Sequence, residues 1–281
     1  MQTVIFGAKG QLGRDLCEVF RRESEVRAFD LPELDIADFN AVLECVSGAR
    51  PDLVVNAAAF TDVEAAETEP ARATLINETA AGNVARAAAE AGAPVVYYST
   101  DFVFDGAKGS PYLPDDAPAP LCAYARSKFG GEAATRDANA RHCIIRTAWL
   151  YGPGGNNFVE KILKAAETRP VLKVVADEVG SPTHTLDLAE ATAALAKSGA
   201  AGVFHVVNDG ACSRYELARK IVELAGLDVR VEACAAADFP MKAKRPLYSV
   251  LSNEKYRQQT GQVMRPWQEA LAHYVQRRRR N

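Results

Sequence analysis

The chain has 281 residues, 48% of them hydrophobic and 25% charged, with a net charge of -3. That balance excludes a disordered chain, a collagen-like repeat and a small disulfide-held scaffold. It also gives no basic footprint for nucleic acid or for an anionic membrane surface.

Six cysteines, at positions 17, 45, 122, 143, 212 and 234, form no Cys-x-x-Cys pair, and the four histidines do not cluster with them. No metal site is therefore expected, and the thiols read as reduced core residues. The chain enters a strand-like run at once, without a basic and then apolar leader, and no stretch reaches the ~20 apolar residues a bilayer span needs. A cytoplasmic location follows as an expectation. The one basic run, Arg277 to Arg280, reads as a solvated tail rather than a nucleic-acid patch.

Thr3 to Gly7 is a short β-branched run followed by glycines, the pattern of a buried strand ending in a turn. Leu12, Leu16, Val19 and Phe20 then fall at helical spacing within Gln11 to Arg22. Strands are predicted at 26–30, 53–56, 95–100 and 143–147, and helices at 37–46, 71–91 and 123–138. Thr61-Asp62-Val63-Glu64 has the form of a capping box that opens a short helix. Past Gly152-Pro153-Gly154-Gly155 the reading gives a helix from Phe158, a strand at 171–175, a helix at 186–197 and a strand at 203–207. Ser213 to Glu216 is a second capping box, opening a helix that ends near Gly226. The final third is less regular.

Strand and helix alternating at this spacing predict an α/β fold, a Rossmann-type doubly wound parallel sheet with a smaller C-terminal substrate domain. The nucleotide-binding part is expected at residues 1–150 plus about 180–208, and the substrate-binding part at about 151–179 and 209–281.

The first turn reads Gly7-Ala8-Lys9-Gly10-Gln11-Leu12-Gly13, a G-x-x-G-x-x-G spacing between a strand and a helix. Glycines permit a tight turn and close approach of a pyrophosphate to the positive start of the helix. Alone, the triplet also fits a tight turn with close helix–sheet packing. Asp30, at the end of the second strand, adds a carboxylate that can accept from an adenosine ribose and repel a 2′-phosphate. Together these features point to a dinucleotide, and Asp30 by itself favours NADH over NADPH.

Tyr124 and Lys128 share one face of the helix that follows Ser99-Thr100-Asp101, at the carboxyl end of the fourth strand. A ketone that accepts a hydride needs a proton on its developing alkoxide. Free tyrosine ionises near pH ~10, so acting near neutrality asks for up to ~4 kcal/mol of phenolate stabilisation. An ammonium at Lys128 would supply it and could hold a nicotinamide ribose, and Thr100 would orient the reacting oxygen. The plain alternative is an exposed Tyr–Lys pair on an ordinary helix.

Several segments now carry a resemblance. Gly7 to Gly13, Asn56-Ala57-Ala58-Ala59, Ser99 to Gly106 and Tyr124-Ala-Arg-Ser-Lys128 resemble the extended short-chain dehydrogenase/reductases. Arg146 to Tyr151, Gly155 to Phe158, Gly180-Ser181-Pro182-Thr183, and Arg245-Pro246 with Ser249 and Leu251 narrow it to the dTDP-4-dehydrorhamnose reductase family, over nearly the whole chain. The resemblance implies NADPH or NADH bound by Gly7, Gly10, Gln11, Leu12, Gly13, Asp30, Asp35, Ile36, Ala59, Phe60, Thr61, Tyr98, Tyr124 and Lys128. It implies Tyr124 as proton donor, with Lys128 and Thr100 as its catalytic partners. A dTDP-sugar substrate would meet Thr100, Asp101 and Trp149, and Arg245 would pair with its diphosphate. Trp149 also reads as a core aromatic at a strand end.

Ala125 and Phe102 depart from the family, which usually has glycine and tyrosine there. Some members form homodimers around magnesium, but no ligand set for it can be placed in this sequence. The competing readings are another nucleotide-sugar enzyme, such as an epimerase, and a non-catalytic subunit of the kind that regulates methionine adenosyltransferase.

Overall fold

The computed structural model describes residues 1–239 and 241–278. The first half alternates β1 (Gln2–Phe6), α1 (Gln11–Phe20), β2 (Glu25–Phe29), α2 (Phe39–Ala49) and β3 (Leu53–Asn56). It continues through α3 (Val63–Thr68), α4 (Pro70–Thr74), a π-helical turn (Leu75–Thr79), α5 (Ala80–Glu90), β4 (Val95–Thr100), α6 (Ala123–Ala138) and β5 (His142–Thr147). Then follow β6 (Leu150–Tyr151), α7 (Phe158–Ala166), β7 (Val171–Val175), β8 (Val179–Gly180), β9 (Thr183–His184), α8 (Thr185–Lys197) and β10 (Gly202–His205). The chain closes with β11 (Cys212–Ser213), α9 (Arg214–Ala225), β12 (Arg230–Cys234), α10 (Glu254–Thr260) and α11 (Trp267–Arg278).

Six strands form one parallel sheet in the order β10-β5-β4-β3-β1-β2. Strand order reverses between β1 and β3, which opens a crevice at the carboxyl ends of those strands. Period-2 alternation sends Ile5, Val55, Tyr98 and Ile145 to the face covered by α1 and α8. Val4, Phe6 and Val54 go to the face covered by α2 and α5, and Tyr97 and Ile144 lie on that same side with Ala81. Each such fully buried large side chain contributes roughly 1.5–3 kcal/mol. A second core joins Val159, Ile162, Leu163, Leu172, Leu217, Ile221, Trp267 and Leu271, from α7, β7, α9 and α11.

Some local expectations are corrected. The helix cap after β3 is Asp62, not Thr61; its carboxylate accepts from the amides of Glu64 and Ala65. The predicted 71–91 helix starts at Pro70 and is interrupted by the π turn. The last third contains β12, α10 and α11, which a loose apolar period concealed. Arg277 and Arg278 are not a free tail: they pair with Glu18 at 2.8 Å and Glu160 at 2.9 Å. Arg279 and Arg280 lie outside the described residues. The Ser213–Glu216 capping box forms as read, and Gly226 closes that helix at φ 67°.

All six cysteines carry free thiols. No helix among the described residues is long and apolar enough to cross a membrane.

Candidate active site

The glycine turn is built by close backbone approach. A Cβ on Gly13 would lie 2.0 Å from the Gly7 carbonyl oxygen, and one on Gly7 would lie 2.4 Å from the Ala58 amide nitrogen. Gly10 meets only the Gly7 carbonyl, at 3.3 Å, and no side chain caps α1 behind it. The first turn of α1, with Gln11 and Leu12, thus presents bare amides and the positive end of the helix dipole to an anion. Asp30 accepts from the Lys9 amide at 2.7 Å and the Leu31 amide at 2.8 Å, which fastens the glycine loop to the end of β2. A cavity of about 470 Å³ beside it is lined by Asp30 and Glu33 but also by Lys9, Arg14 and Arg21. Its charge is therefore mixed, and Asp30 does not act alone there. Asp35 accepts from the Ala37 amide, and Ile36 is buried, its carbonyl accepting from Asn83.

After β3, the Ala59-Phe60-Thr61 turn is pinned by Asn77. The Asn77 carboxamide accepts from the Phe60 amide at 2.8 Å and donates to the Phe60 carbonyl and to the Ser127 hydroxyl. Tyr97 donates to the Asn77 carbonyl at 2.8 Å. Asn77 sits in the π turn, whose widened backbone frees that carbonyl. Sequence reasoning passed over it; its signal is an asparagine midway along an alanine-rich helical run. Tyr98, grouped with the cofactor residues, points the other way. It is 6% exposed, and its hydroxyl bonds Thr192 on α8 at 2.8 Å, across the sheet from Lys128.

Tyr124 and Lys128 both rise from α6. Phe102 lies edge-on to the Tyr124 ring at 6.1 Å, and Phe60 packs in the same cluster as Tyr124. Ala125 fills a fully buried site against Cys122 and Ala243. Burial raises the Tyr124 phenol above its ordinary value; the Thr100 hydroxyl pulls it down, and the Asp101 charge pushes it further up. Lys128 is 3% exposed, with its nitrogen 4.3 Å from the Tyr97 ring centre. Burial pushes its amine down to about 7, against the pull of Glu132. Burial thus works against the charge that the sequence reading asks of Lys128. In this arrangement Thr100 is the group that eases ionisation of Tyr124.

Asp101 is 2% exposed; it accepts from the Ser249 and Thr100 hydroxyls, and burial pushes its carboxyl up to about 6. Trp149 leaves β5 with φ 47°, a left-handed backbone rare outside glycine. Arg245 lies 3.5 Å from Glu64, and its Nε is buried without a partner. Arg214, which sequence reasoning did not single out, stacks on Trp149. It opens α9 directly after the capping serine, which brings its side chain to the site. Thus the structure brings Thr100, Asp101, Tyr124 and Lys128 to one end of the sheet and sets Tyr98 apart.

A family model described as RmlD substrate binding domain matches residues 1–280. The spore coat polysaccharide biosynthesis protein SpsK of Bacillus subtilis is 42% identical, covering 99% of this chain and 98% of its own. A dTDP-4-dehydrorhamnose reductase structure from Clostridium acetobutylicum superposes with a TM-score of 0.97 at 40% identity, over 99% of this chain and 100% of that one. One from Bacillus anthracis, solved in complex with NADP, gives 0.96 at 37%, over 98% and 99%. With the family model matching nearly the whole chain and these relatives covered almost end to end, this chain belongs to the RmlD family, among the dTDP-4-dehydrorhamnose reductases.

Proposed function

We propose that this chain reduces the C4 ketone of dTDP-4-dehydro-β-L-rhamnose to dTDP-β-L-rhamnose, with NADPH or NADH as the reductant. The observation that carries this reading is the convergence of Tyr124, Thr100 and buried Lys128 at the carboxyl end of the sheet, the end at which the uncapped, glycine-lined start of α1 also lies. The residues present fit a dinucleotide. Gly7 and Gly13 leave no room for a Cβ, one on Gly10 would press on the Gly7 carbonyl, and Asn56 Nδ2 and Ser99 Oγ near the strand ends are buried without partners.

Gly7, Gly10, Gln11, Leu12 and Gly13 would hold the pyrophosphate, and Asp30, Asp35 and Ile36 the adenosine end. Ala59, Phe60, Thr61, Tyr124 and Lys128 would hold the nicotinamide half. When bound, the nicotinamide supplies the hydride. Tyr124 gives its phenolic proton to the developing C4 alkoxide, and the Thr100 hydroxyl steadies the phenolate left behind. Asp101 and Trp149 border the sugar, and Arg245 faces its diphosphate. Lys9, Arg14 and Arg21 line the adenosine cavity together with Asp30 and Glu33, so a 2′-phosphate would meet cations there as well as carboxylates, which leaves room for NADPH or NADH. A cytoplasmic site of action accords with six free thiols.

The test is absorbance at 340 nm with enzymatically prepared dTDP-4-dehydrorhamnose and either cofactor, with Tyr124→Phe alongside. Stoichiometric oxidation that collapses in the variant is the expected result. Cofactor binding without oxidation would reject the reading and favour an epimerase or a regulatory subunit.

A further inference from the structure

The Trp149 indole is held on two sides by one small ribbon. Strands β8 and β11 pair antiparallel with Gly180 opposite Cys212 and Val179 opposite Ser213. Gly180 packs against the indole so closely that a Cβ there would lie 2.5 Å from Trp149 Cε2 and 2.8 Å from Nε1. Two residues past Cys212, Arg214 places its guanidinium carbon 3.4 Å from the centre of the indole, and Phe158 lies 5.1 Å from the same guanidinium. Arg214 is fixed in turn: its amide donates to the Glu178 carbonyl at 3.2 Å, and its Nε lies 3.7 Å from the Glu178 carboxylate. Its side chain is 15% exposed.

From this geometry we infer that Arg214 is a positioning residue, which with Gly180 clamps the Trp149 indole as a rigid wall of the sugar site. The backbone supports the assignment. A tryptophan at φ 47° is strained, and such strain persists where surrounding contacts over-determine the residue. A planar guanidinium over an indole face is a favourable stack, stronger when desolvated. Burial pushes Arg214 down to about 10, and the buried Asp101 carboxylate opposes that shift, so the arginine also balances the charge beside the reacting sugar. A wall fixed before binding spares the ordering of a large side chain on association, so its loss weakens binding more than it slows chemistry.

The identity of the wall's ligand rests on the reduction proposed above, whereas the clamp itself is measurable without substrate. The experiment uses the full chain with Trp267→Phe, which leaves Trp149 as the one indole, and adds Arg214→Met, Arg214→Lys or Gly180→Ala. Acrylamide quenching and anisotropy of Trp149 fluorescence are measured first. Arg214→Met and Gly180→Ala should each raise the quenching constant at least twofold and lower the anisotropy, with Arg214→Lys intermediate. In the 340 nm assay, Arg214→Met should raise KM for the dTDP-sugar about tenfold, with kcat within threefold and NADPH affinity unchanged.

Unchanged fluorescence in a folded Arg214→Met, verified by its circular dichroism, overturns the clamp. So does a loss confined to kcat. Should Arg214→Met fail to fold, Gly180→Ala and Arg214→Lys decide the same question. A parent protein that never oxidises cofactor rejects the reduction, while the quenching and anisotropy still decide the clamp.

Discussion

The Lys128 nitrogen stands 4.3 Å from the centre of the Tyr97 ring, in a site only 3% exposed. A lysine there is costly to the fold, because burial favours the neutral amine. Its value of about 7 lies below that of an unfolded lysine, 10.5. Between those two values the unfolded chain holds the proton more tightly, so stability contributed by this site rises with pH from about 7 to 10.5 and is lowest below 7. Lys128→Met should therefore stabilise the protein by on the order of 2 kcal/mol at pH ~6, less at pH ~9, while removing turnover. Urea unfolding of both proteins at the two pH values checks this; a variant less stable at the lower pH contradicts the assignment.

Tyr124 and Thr100 separate by role. Burial holds the phenol protonated and Thr100 opposes it, so the proton is available to a nearby alkoxide and the phenolate has one hydroxyl to lean on. Tyr124→Phe should lower kcat by roughly 10²–10⁴-fold, and Thr100→Val by about 10–100-fold. Cofactor affinity should hold within threefold in the Thr100 variant. A Thr100→Val enzyme with unaltered kcat would show that the hydroxyl serves only to cap the turn at Phe102.

How far the sequence carries this site depends on the range of each interaction. The glycine loop, the Tyr124–Lys128 pair and the Ser213 capping box are local patterns, and each is found where its spacing places it. The π turn at Asn77 is set by what packs on it, since its carbonyl answers Tyr97 on β4 and its carboxamide answers Phe60 and Ser127. Tyr98 escapes a local reading for a related reason. Adjacent strand residues face opposite sides, and which of Tyr97 and Tyr98 meets α6 follows from the register of the sheet. Arg214 lies 65 residues from Trp149 in sequence, and only the β8–β11 ribbon brings the two together.

The glycines divide into those with no room and those with room to spare. Gly13 faces the Gly7 carbonyl at 2.0 Å from an added Cβ, so Gly13→Ala must push α1 away from β1. We expect at least a tenfold weaker NADPH affinity, measured by titration calorimetry. Gly48 lies exposed in α2 with nothing within 4 Å of an added Cβ. Gly48→Ala should stabilise the fold by about 0.5–1 kcal/mol and leave cofactor binding alone. Equal effects of the two substitutions on NADPH affinity would mean that the loop does not contact it.

Beneath the site, Arg146 on β5 and Glu132 on α6 form a bidentate pair at 2.8 and 2.7 Å, with side chains 3% and 0% exposed. Arg146 also donates to the Pro114 carbonyl at 3.0 Å, so its hydrogen-bonding capacity is largely met. Breaking such a pair on one side strands a buried charge, whereas replacing both partners with apolar groups does not. Glu132→Gln should cost about 3–5 kcal/mol of unfolding free energy, and Glu132→Leu with Arg146→Met should recover most of it. Recovery of stability will not extend to activity. Glu132 stands one helical turn from Lys128 and is the charge that opposes its neutralisation, so the double variant leaves Lys128 neutral to lower pH. The pH–rate profile of the double variant should therefore shift to lower pH at its Lys128-dependent limb; an unshifted profile in a stable protein would assign the pair to the fold alone.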